Sequence, residues 1–334
     1  MKIFITGIAG FLGSHLADRM LALGHEVTGN DNLIGGYIDN VPHGATFYNV
    51  DCCDRNTMVT IMQDVDVVVH TAATAHEGLS VFSPNFITTN IYQASISTIS
   101  AAIECKVKRF VFCSSMARYG NQPAPFTEDD SNTQPVDPYG IAKVAVEQTL
   151  QVLSNVHKME WNIAVPHNIV GPRQRYDDPF RNVMSIMINR NLQGLPSIIY
   201  GDGNQTRCFS YIEDCLLCLE KLVLDPNIRY EIINIGPDEG AVTINELARL
   251  VAKECNLEAT PIYVTDRPTE VKNAFCSSYK ARHLLDYKTT TDLQTAIKHT
   301  VDYIKTAGVK SFDYSYPIEI VNKHTPRTWT DKLI

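Results

Sequence analysis

Short apolar runs alternate with longer amphipathic stretches along the first half of the chain. The runs that we interpret as strands are 2–6, 26–31, 46–51, 66–71, 109–114 and 162–165. The stretches between them that have helical periodicity are 13–23, 56–63, 85–105 and 139–153. Strands that alternate with helices are typical of parallel βαβ units, in which helices cover both faces of one sheet. The pattern therefore predicts an α/β fold with a doubly wound parallel sheet.

The regular alternation ends near Pro166. Beyond it, helical stretches are mixed with short strand-like pieces. The helical stretches are 181–192, 211–224, 244–255 and 293–305, and the strand-like pieces are 197–200 and 231–235. We therefore expect one domain over 1–165 and a second, smaller α/β domain over 166–334, from which some segments return to the sheet.

Composition and charge limit the partners that the protein can have. Of its 334 residues, 44% are hydrophobic and 20% are charged, as in an ordinary globular protein. The formal net charge of −8 offers no basic face, so we expect neither nucleic acid nor a membrane as a partner. The nine cysteines are odd in number and scattered along the chain. This predicts reduced thiols in a cytoplasmic protein and no metal site.

Three glycines separate the first predicted strand from the first predicted helix. Gly7, Gly10 and Gly13 are spaced three residues apart. Such glycines permit a tight turn and close backbone approach, and the helix N-terminus favours a pyrophosphate. Asp31 ends the second strand, where it would bind the adenosine ribose hydroxyls and repel a 2′-phosphate. The motif predicts NAD in preference to NADP; the alternative is a flexible turn followed by a solvated acid.

A tyrosine and a lysine lie one helical turn apart at the start of the predicted helix 139–153. Tyr139 and Lys143 share one face of this helix. We expect the ammonium to lower the pKa of the phenol, which would make Tyr139 a base for an alcohol. Ser114 and Ser115 lie at the carboxyl edge of the sheet, where open α/β folds bind ligands. The alternative is an exposed tyrosine stacked on a lysine stem.

In this order, the motifs resemble the extended short-chain dehydrogenase/reductase family, and within it the NAD-dependent nucleotide-sugar epimerases and dehydratases. The resemblance covers roughly residues 1–305. It implies a Rossmann-like fold with a smaller C-terminal α/β substrate-binding domain. It also implies that Ser115 hydrogen-bonds the reacting hydroxyl, Tyr139 is the general base and acid, and Lys143 holds the nicotinamide ribose.

The resemblance also extends the predicted cofactor site. Asp51 and Cys52 match the family's adenine contact, and residues 71–73 match a turn beside the cofactor phosphates. Asn90 matches a buried helix asparagine, for which a satisfied polar core residue is an equal alternative. The predicted cofactor site comprises Gly7, Gly10, Phe11, Leu12, Gly13, Asp31, Asn32, Asp51, Cys52, Thr71, Ala72, Ala73, Asn90, Tyr139, Lys143 and Pro166.

The second half resembles the nucleotide-sugar-binding part of the same family. Arg207 and Arg267 match two arginines that grip the substrate diphosphate through charge-assisted contacts. Tyr200 matches the ring against which uracil packs, and Glu270 matches a carboxylate that binds the nucleotide ribose. For each arginine alone, the alternative is a surface salt bridge. The predicted substrate site comprises Ser115, Asn168, Asn182, Val183, Tyr200, Arg207, Arg267, Glu270 and Ala274.

The side chain at position 274 bears on the choice of sugar. Among 4-epimerases, the position that Ala274 matches lies beside C2 of the sugar, and enzymes confined to glucose and galactose carry a bulky tyrosine there. The smaller alanine implies that the N-acetylated sugars UDP-GlcNAc and UDP-GalNAc are handled at least comparably to UDP-glucose and UDP-galactose. The alternative is that Ala274 only faces the neighbouring core.

The residues after Ser115 separate the reactions of the family. Met116 and Ala117 stand where related dehydratases, decarboxylases and 3,5-epimerases carry acidic residues or a cysteine, and neither side chain transfers protons. Of the family's reactions, oxidation and re-reduction at C4 remains, because it needs no proton-transferring group at these positions. We therefore expect an NAD-dependent UDP-hexose 4-epimerase with a transient 4-keto intermediate. The alternatives are an NAD(P)-dependent nucleotide-sugar oxidoreductase, such as a 4-ketosugar reductase, and a non-catalytic sensor of NAD or a nucleotide sugar.

The chain is also expected to form a homodimer through the helical stretches 85–105 and 139–153, as relatives in this family commonly do. The small or apolar residues expected at this interface are Ala94, Ile96, Ile99, Ala101, Ala102, Val144 and Leu150. If left exposed, they would form a larger apolar patch than monomers usually show. The alternative is that they pack on the sheet of their own chain.

Overall fold

The computed structural model of the protein describes residues 1–129 and 131–334. The strands are β1 (Lys2–Thr6), β2 (Glu26–Asp31), β3 (Thr46–Asn49), β4 (Val67–His70), β5 (Arg109–Cys113), β6 (Glu160–Pro166), β7 (Ile169–Val170), β8 (Ile198–Tyr200), β9 (Thr206–Arg207), β10 (Ser210–Tyr211), β11 (Glu231–Ile235), β12 (Val242–Thr243), β13 (Ile262–Val264) and β14 (Asn273–Ala274). The α-helices are α1 (Phe11–Ala22), α2 (Arg55–Ile61), α3 (Glu77–Ser80), α4 (Pro84–Thr88), α5 (Ala94–Glu104), α6 (Pro138–His157), α7 (Val183–Leu192), α8 (Ile212–Leu224), α9 (Ile244–Glu254), α10 (Tyr279–Leu285), α11 (Leu293–Ala307) and α12 (Arg327–Thr330).

Seven of the strands form one parallel sheet in the order β11-β6-β5-β4-β1-β2-β3. The chain runs outward from β1 to β3 and then crosses to the other side of β1 to add β4, β5 and β6. This reversal of direction defines a doubly wound sheet, and it opens a crevice at the carboxyl ends of the central strands. The predicted α/β class and Rossmann-like doubly wound sheet are confirmed.

Alternate residues of the central strands pack on opposite faces of the sheet. Ile3 and Ile5 pack with helices α1 and α8, whereas Phe4, between them, packs in the cluster that includes α5 and α6. Because both faces are covered, strands such as β5 are buried at every position. This explains why they appear in the sequence as continuous apolar runs and not as alternating ones.

The helix that carries the predicted catalytic residues begins at a well-defined N-terminal cap. The Asp137 side chain accepts a hydrogen bond from the backbone N–H of Gly140 at 2.9 Å, and Pro138 occupies the first turn of α6. An aspartate cap followed by proline is a favoured helix start. Tyr139 is thereby held in the first turn, beside the carboxyl end of β5.

The predicted helix 85–105 is not one regular helix. A π-helical turn over Thr89–Gln93 separates α4 from α5. Such turns insert one residue per turn and occur often at functional sites. The apolar periodicity on either side is preserved, so the sequence pattern does not reveal the interruption.

The second half of the chain builds small sheets around the crevice and also contributes to the main sheet. β9 pairs with β12 and β14, β8 pairs with β13, and β7 pairs with β10. β11 joins β6 at the edge of the seven-stranded sheet. Segments of the two halves are therefore joined by backbone hydrogen bonds on one side of the crevice.

The segment 308–334, which has no interpretable periodicity, packs against both halves. Trp329 is 2% exposed and contacts Phe82 of the first half and Phe180 of the second half edge to face. The Glu319 carboxylate accepts hydrogen bonds from the backbone N–H groups of Asn85 and Phe86 at the start of α4. The segment therefore connects the two halves through side-chain contacts.

Most residues that we expected at a dimer interface lie inside their own chain. The structure buries Ala94, Ile99, Ala101, Ala102 and Leu150 in the core between the sheet and its helices. For these five the interface assignment is wrong, because the inner faces of α5 and α6 have the same small and apolar character that an interface would have.

Two further structural facts bear on the sequence expectations. All nine cysteines are free thiols. Among the residues that the structure describes, no helix combines the length and the apolar character needed to cross a bilayer.

Candidate functional site

The glycine turn after β1 allows three backbone segments to meet closely. Gly7 has φ of +70°, and a Cβ placed there would lie 2.9 Å from the backbone of Ala72. A Cβ at Gly13 would lie 2.2 Å from the carbonyl oxygen of Gly7, far inside contact distance. Only glycine fits either position, and the first turn of α1 consequently faces the crevice with free backbone N–H groups. The turn fits a pyrophosphate group.

A cavity of about 310 Å³ extends from this turn across the carboxyl ends of the central strands. All the predicted cofactor residues line it, from the glycine turn to Lys143 and Pro166. The cavity is elongated along the sheet edge, as a dinucleotide requires. The residues present therefore fit NAD, with the adenosine half at Asp31 and Asp51 and the nicotinamide half at Tyr139.

The Asp31 carboxylate is fixed by backbone contacts at the start of the adenosine half. It accepts hydrogen bonds from the N–H groups of Ala9, at 3.1 Å, and Leu33, at 2.8 Å. Burial raises the pKa of Asp31, while these N–H groups act in the opposite direction. The carboxylate thus lies beside the glycine turn in the position predicted for a ribose contact.

The other predicted adenosine-side residues are joined by side-chain contacts. The Asn32 amide donates to the Asp51 carboxylate at 2.8 Å, and the buried Cys52 thiol accepts from Asn30. Asn90 lies in the π-helical turn, where its amide donates to the carbonyl of Phe86 at 2.9 Å while it lines the cavity. It is thus both a satisfied polar residue and part of the cavity wall.

Ser115, Tyr139 and Lys143 meet where the cofactor cavity runs under the carboxyl end of β5. Ser115 and Tyr139 both line the cofactor cavity, and both are almost fully buried. The Lys143 ammonium donates to the carbonyl of Cys113 at 2.8 Å and lies 5.9 Å from the centre of the Tyr139 ring. The structure therefore brings together the three residues that the sequence proposes for catalysis.

The expected effect of Lys143 on the tyrosine is wrong for this state of the protein. Burial raises the pKa of Tyr139, and the nearby Ser115 hydroxyl only partly opposes it. Burial also lowers the pKa of Lys143 to about 8. Because the enclosed site disfavours each charged form, Lys143 alone does not give an acidic phenol.

A buried polar network behind these residues was missed by the sequence analysis. Glu147, one turn after Lys143 on α6, forms an ion pair with Arg118, whose Nη2 lies 2.9 Å from Oε2. The same carboxylate accepts a hydrogen bond from the Ser114 hydroxyl. A glutamate at i+4 from Lys143, on the inner face of the helix, is the signal that could have revealed it.

A second cavity, of about 280 Å³, opens from the catalytic residues into the second half. Eight of the nine predicted substrate residues line it, and the ninth, Ser115, lines the adjoining cofactor cavity. The two cavities share Asn168 and Asn182 among their walls. A ligand in the second cavity can thus present one end to Tyr139.

The two predicted diphosphate arginines converge on one carboxylate. Arg207 and Arg267 each place Nη2 2.7 Å from a different oxygen of Glu270. Burial alone would raise the pKa of Glu270, but the two guanidinium groups outweigh it and lower the pKa. The three groups together retain one positive charge, and Glu270 holds both guanidinium groups in place. Each arginine is thus in an ion pair, but one that lies in the wall of the second cavity, and its contact with a diphosphate stays a prediction.

The remaining substrate residues have defined neighbours. The Arg267 guanidinium lies 4.8 Å from the centre of the Tyr200 ring, and the Tyr200 hydroxyl is 2.6 Å from that of Thr328. Asn168 donates to the carbonyl of Cys208 at 2.9 Å. Ala274 is 4% exposed and lies beside Arg207 in the small sheet. It combines core packing with a place in the cavity wall.

Three further cavity residues were not identified from the sequence. Glu77 and Arg181 line both cavities, and Tyr316 of the C-terminal segment lines the cofactor cavity. The Tyr316 hydroxyl donates to the carbonyl of Ile34 at 2.6 Å. Glu77 follows the turn 71–73 closely enough that its proximity to the cofactor could have been inferred, whereas Tyr316 could not.

Comparison with known proteins agrees with this arrangement. A family model described as the NAD-dependent epimerase/dehydratase family matches residues 3–236. The UDP-glucose 4-epimerase of Mycolicibacterium smegmatis is 29% identical over 325 residues, covering 91% of this chain and 99% of that protein. Two crystal structures, each matched over 92% of this chain and 100% of their own, are similar in fold. They are the Thermus thermophilus UDP-glucose 4-epimerase in complex with NAD, 28% identical with a TM-score of 0.86, and the Bacillus cereus UDP-glucuronic acid 4-epimerase in complex with UDP-glucuronic acid and NAD, 30% identical with a TM-score of 0.85.

The chain belongs to the NAD-dependent epimerase/dehydratase family. The model match spans more than half of the chain, including the glycine turn and the residues Ser115, Tyr139 and Lys143. The resemblance stated from the motifs is thereby confirmed, as are the expectations of an NAD-dependent enzyme and of NAD as its cofactor. The roles of individual residues remain predictions.

The role of Asp31 can be tested through the choice of cofactor. Asp31→Asn keeps a hydrogen-bonding side chain but removes the charge that would repel a 2′-phosphate. We expect the ratio of NADP affinity to NAD affinity, measured by fluorescence titration, to rise about tenfold. Asp39→Asn, an exposed aspartate outside the cavity, is the control. An unchanged ratio would mean that Asp31 does not face the ribose.

Proposed function

We propose that the protein is an NAD-dependent UDP-hexose 4-epimerase. The observation that carries this proposal is the meeting of Ser115, Tyr139 and Lys143 in the wall of the cofactor cavity, which shares Asn168 and Asn182 with the second cavity. One cavity fits NAD, and the other holds paired arginines on Glu270 that suit a diphosphate. The related proteins act on UDP-sugars by name, which favours UDP as the nucleotide.

The chemistry requires a proton acceptor and a position for the hexose. NAD supplies the hydride acceptor and donor. In the first step, Tyr139 would take the proton of the C4 hydroxyl, which Ser115 would orient, while the hydride of C4 would pass to the bound NAD. The 4-keto sugar then turns in the substrate cavity, and hydride returns to its other face as Tyr139 returns the proton. The step is redox-neutral overall, so no external reductant is consumed.

The cavity wall beside Ser115 supports 4-epimerisation over the other reactions of the family. Met116 and Ala117 line the substrate cavity and carry no group that transfers a proton. Loss of water or inversion at C5 would need such a group there. A nucleotide-sugar reductase built on the same residues stays the second candidate, and a non-catalytic sensor the third.

The proposal is tested by incubating the NAD-loaded protein with UDP-galactose and separating the products by anion exchange. We expect UDP-glucose to form without added reductant, and Tyr139→Phe to lower kcat by about 10²–10⁴-fold while NAD content is retained. Tyr279→Phe, at an exposed tyrosine, is the matched control.

Each alternative has its own result in that assay. Turnover only with added NAD(P)H would identify a reductase. No turnover of any UDP-, GDP- or dTDP-hexose, although NAD and a nucleotide sugar bind, would identify a sensor. Full activity of Tyr139→Phe would overturn the catalytic assignment.

Ala274 supports a wider sugar pocket, and we propose that the enzyme accepts N-acetylated hexoses. Ala274→Tyr would place a ring in the cavity beside Arg207. We expect the variant to reduce kcat/KM for UDP-GlcNAc and UDP-GalNAc at least about tenfold more than for UDP-glucose and UDP-galactose. Ala274→Val, with an intermediate side chain, should fall between. Equal losses on both pairs of sugars, or a wild type inert toward the N-acetylated pair, would show that residue 274 is not a gatekeeper.

We further propose the two functional domains that the sequence predicts. Residues 1–165 would form the NAD-binding domain that carries the catalytic residues, and 166–334 the nucleotide-sugar-binding domain, with β11 completing the sheet. We also propose a cytoplasmic location, which the nine free thiols favour.

A homodimer remains our proposal, now supported by other residues. Ile141, Val152 and Val156 are exposed on one stripe of α6, and Tyr92 adjoins it through a 3.3 Å contact of its hydroxyl with that of Thr149. These apolar side chains form the outer face of the helices that we expected to pair. A second copy of the chain would cover them.

Light scattering tests this arrangement. The wild type should have about twice the monomer mass of 37.3 kDa at micromolar concentration. Val152→Asp should return it to the monomer mass, because burying an unpaired carboxylate is unfavourable. Leu257→Asp, exposed elsewhere, should not. A wild type that is already monomeric would exclude the dimer.

A further inference from the structure

Glu77 places a carboxylate without a partner in the wall of both cavities. It begins helix α3, and its side chain is open to the cavity space. Over residues 1–129 and 131–334, this carboxylate makes no hydrogen bond or ion pair. Because the Glu77 side chain is exposed and not buried, its carboxylate is accessible from the cavity space and can contact a ligand there.

The backbone around Glu77 is held firmly. The Ser80 hydroxyl donates to the carbonyl of Glu77 at 2.7 Å, and the preceding His76 is buried with its Nε2 2.7 Å from Asp178. On the other side, a Cβ added at Gly78 would lie 3.5 Å from Nη1 of Arg267. The carboxylate is therefore carried by a fixed segment that lies against the diphosphate arginines.

Glu77 lies along the stretch that a hexose would occupy. It lines both cavities, and it lies near enough to Tyr139 and to Arg267 for its charge to act on both. A nucleotide sugar held at its diphosphate by Arg207 and Arg267, with C4 at Tyr139, must place its hexose between these groups. Glu77 therefore faces the sugar ring and not the nucleotide.

The charges around Glu77 explain why it stays unpaired. Glu270 already satisfies both Arg207 and Arg267 with its two oxygens. Enclosure by the protein raises the pKa of Glu77 to about 7, with the neighbouring Asp137 carboxylate adding to the effect and the two arginines opposing it. The surroundings of Glu77 therefore favour its neutral form more than water would, and its negative charge increases as the pH rises from 6 to 8.

We propose that Glu77 determines the sugar specificity of the enzyme by accepting a hydrogen bond from a neutral hexose and repelling a hexose that carries a carboxylate. The inference rests on the proposed function and narrows its substrates to UDP-hexoses with hydroxyl or amide donors. UDP-hexuronates are disfavoured, because their carboxylate would lie beside a second anion in an enclosed site.

Arg181 is the group that could reverse this preference. It lines both cavities, and its guanidinium has no ion-pair partner among the described residues. If the charge of Arg181 outweighed that of Glu77 at the sugar, the carboxylate of a UDP-hexuronate would be attracted. The protein would then prefer UDP-glucuronate to UDP-glucose, whereas control by Glu77 gives the opposite preference.

The test compares kcat/KM for UDP-glucuronate and UDP-glucose in the wild type, Glu77→Gln and the exposed control Glu258→Gln. At pH 8 we expect Glu77→Gln to raise the glucuronate-to-glucose ratio at least about tenfold, and the control to leave it unchanged. In the wild type the ratio should fall as pH rises from 6 to 8, since Glu77 ionises, and it should be flat in Glu77→Gln. Titration of Tyr139 affects both substrates and cancels from the ratio.

Binding measurements distinguish the role of Glu77 in specificity from the proposed epimerisation. Calorimetric affinities of the NAD-loaded protein for the same two ligands should show the same ratio and the same pH dependence, whether or not turnover occurs. Absence of epimerisation with the expected affinity ratio would overturn the proposed reaction and support Glu77. A wild type that prefers UDP-glucuronate, or a ratio that does not change in Glu77→Gln, would overturn the role of Glu77.

Discussion

Arg118 and Glu147 form an ion pair that lies almost wholly inside the protein, with side-chain exposures of 5% and 2%. An isolated pair at that depth would be costly, because both ions lose their hydration. Here the Ser114 hydroxyl binds the carboxylate and the Tyr119 hydroxyl accepts from the guanidinium at 3.0 Å. The pair is thus part of a satisfied network, and that network connects the end of β5 to helix α6.

The position of the reacting groups depends on this connection. Ser115 is the neighbour of Ser114 just after β5, while Tyr139 and Lys143 precede Glu147 on α6. Through Tyr119, whose hydroxyl donates to Asn234 at 2.8 Å, the network also reaches β11 of the second half. A shift of α6 would break a buried charge contact, so the hydroxyl of Tyr139 is held in the wall of the cofactor cavity by electrostatics as well as by packing.

Much of this arrangement follows from local sequence patterns. β1, β2 and β11 have the bounds that their apolar runs predict, since a buried parallel strand is visible as a continuous run. The glycine turn is equally predictable, because close backbone approach at Gly13 admits no other residue. The π-helical turn, the packing of 308–334 and the partner of Glu270 depend on contacts between distant segments. Helix periodicity also could not separate the inner faces of α5 and α6 from a dimer interface, because both are apolar.

The C-terminal segment 308–334 joins the two halves of the chain by packing against both. This segment has no regular strand and only the short helix α12, so its position depends on side-chain packing. The segment packs Trp329 between Phe82 and Phe180 and brings the Thr328 hydroxyl to Tyr200, the ring expected to hold the base. It therefore adds side-chain contacts between the two halves to the backbone pairing of β11 with β6.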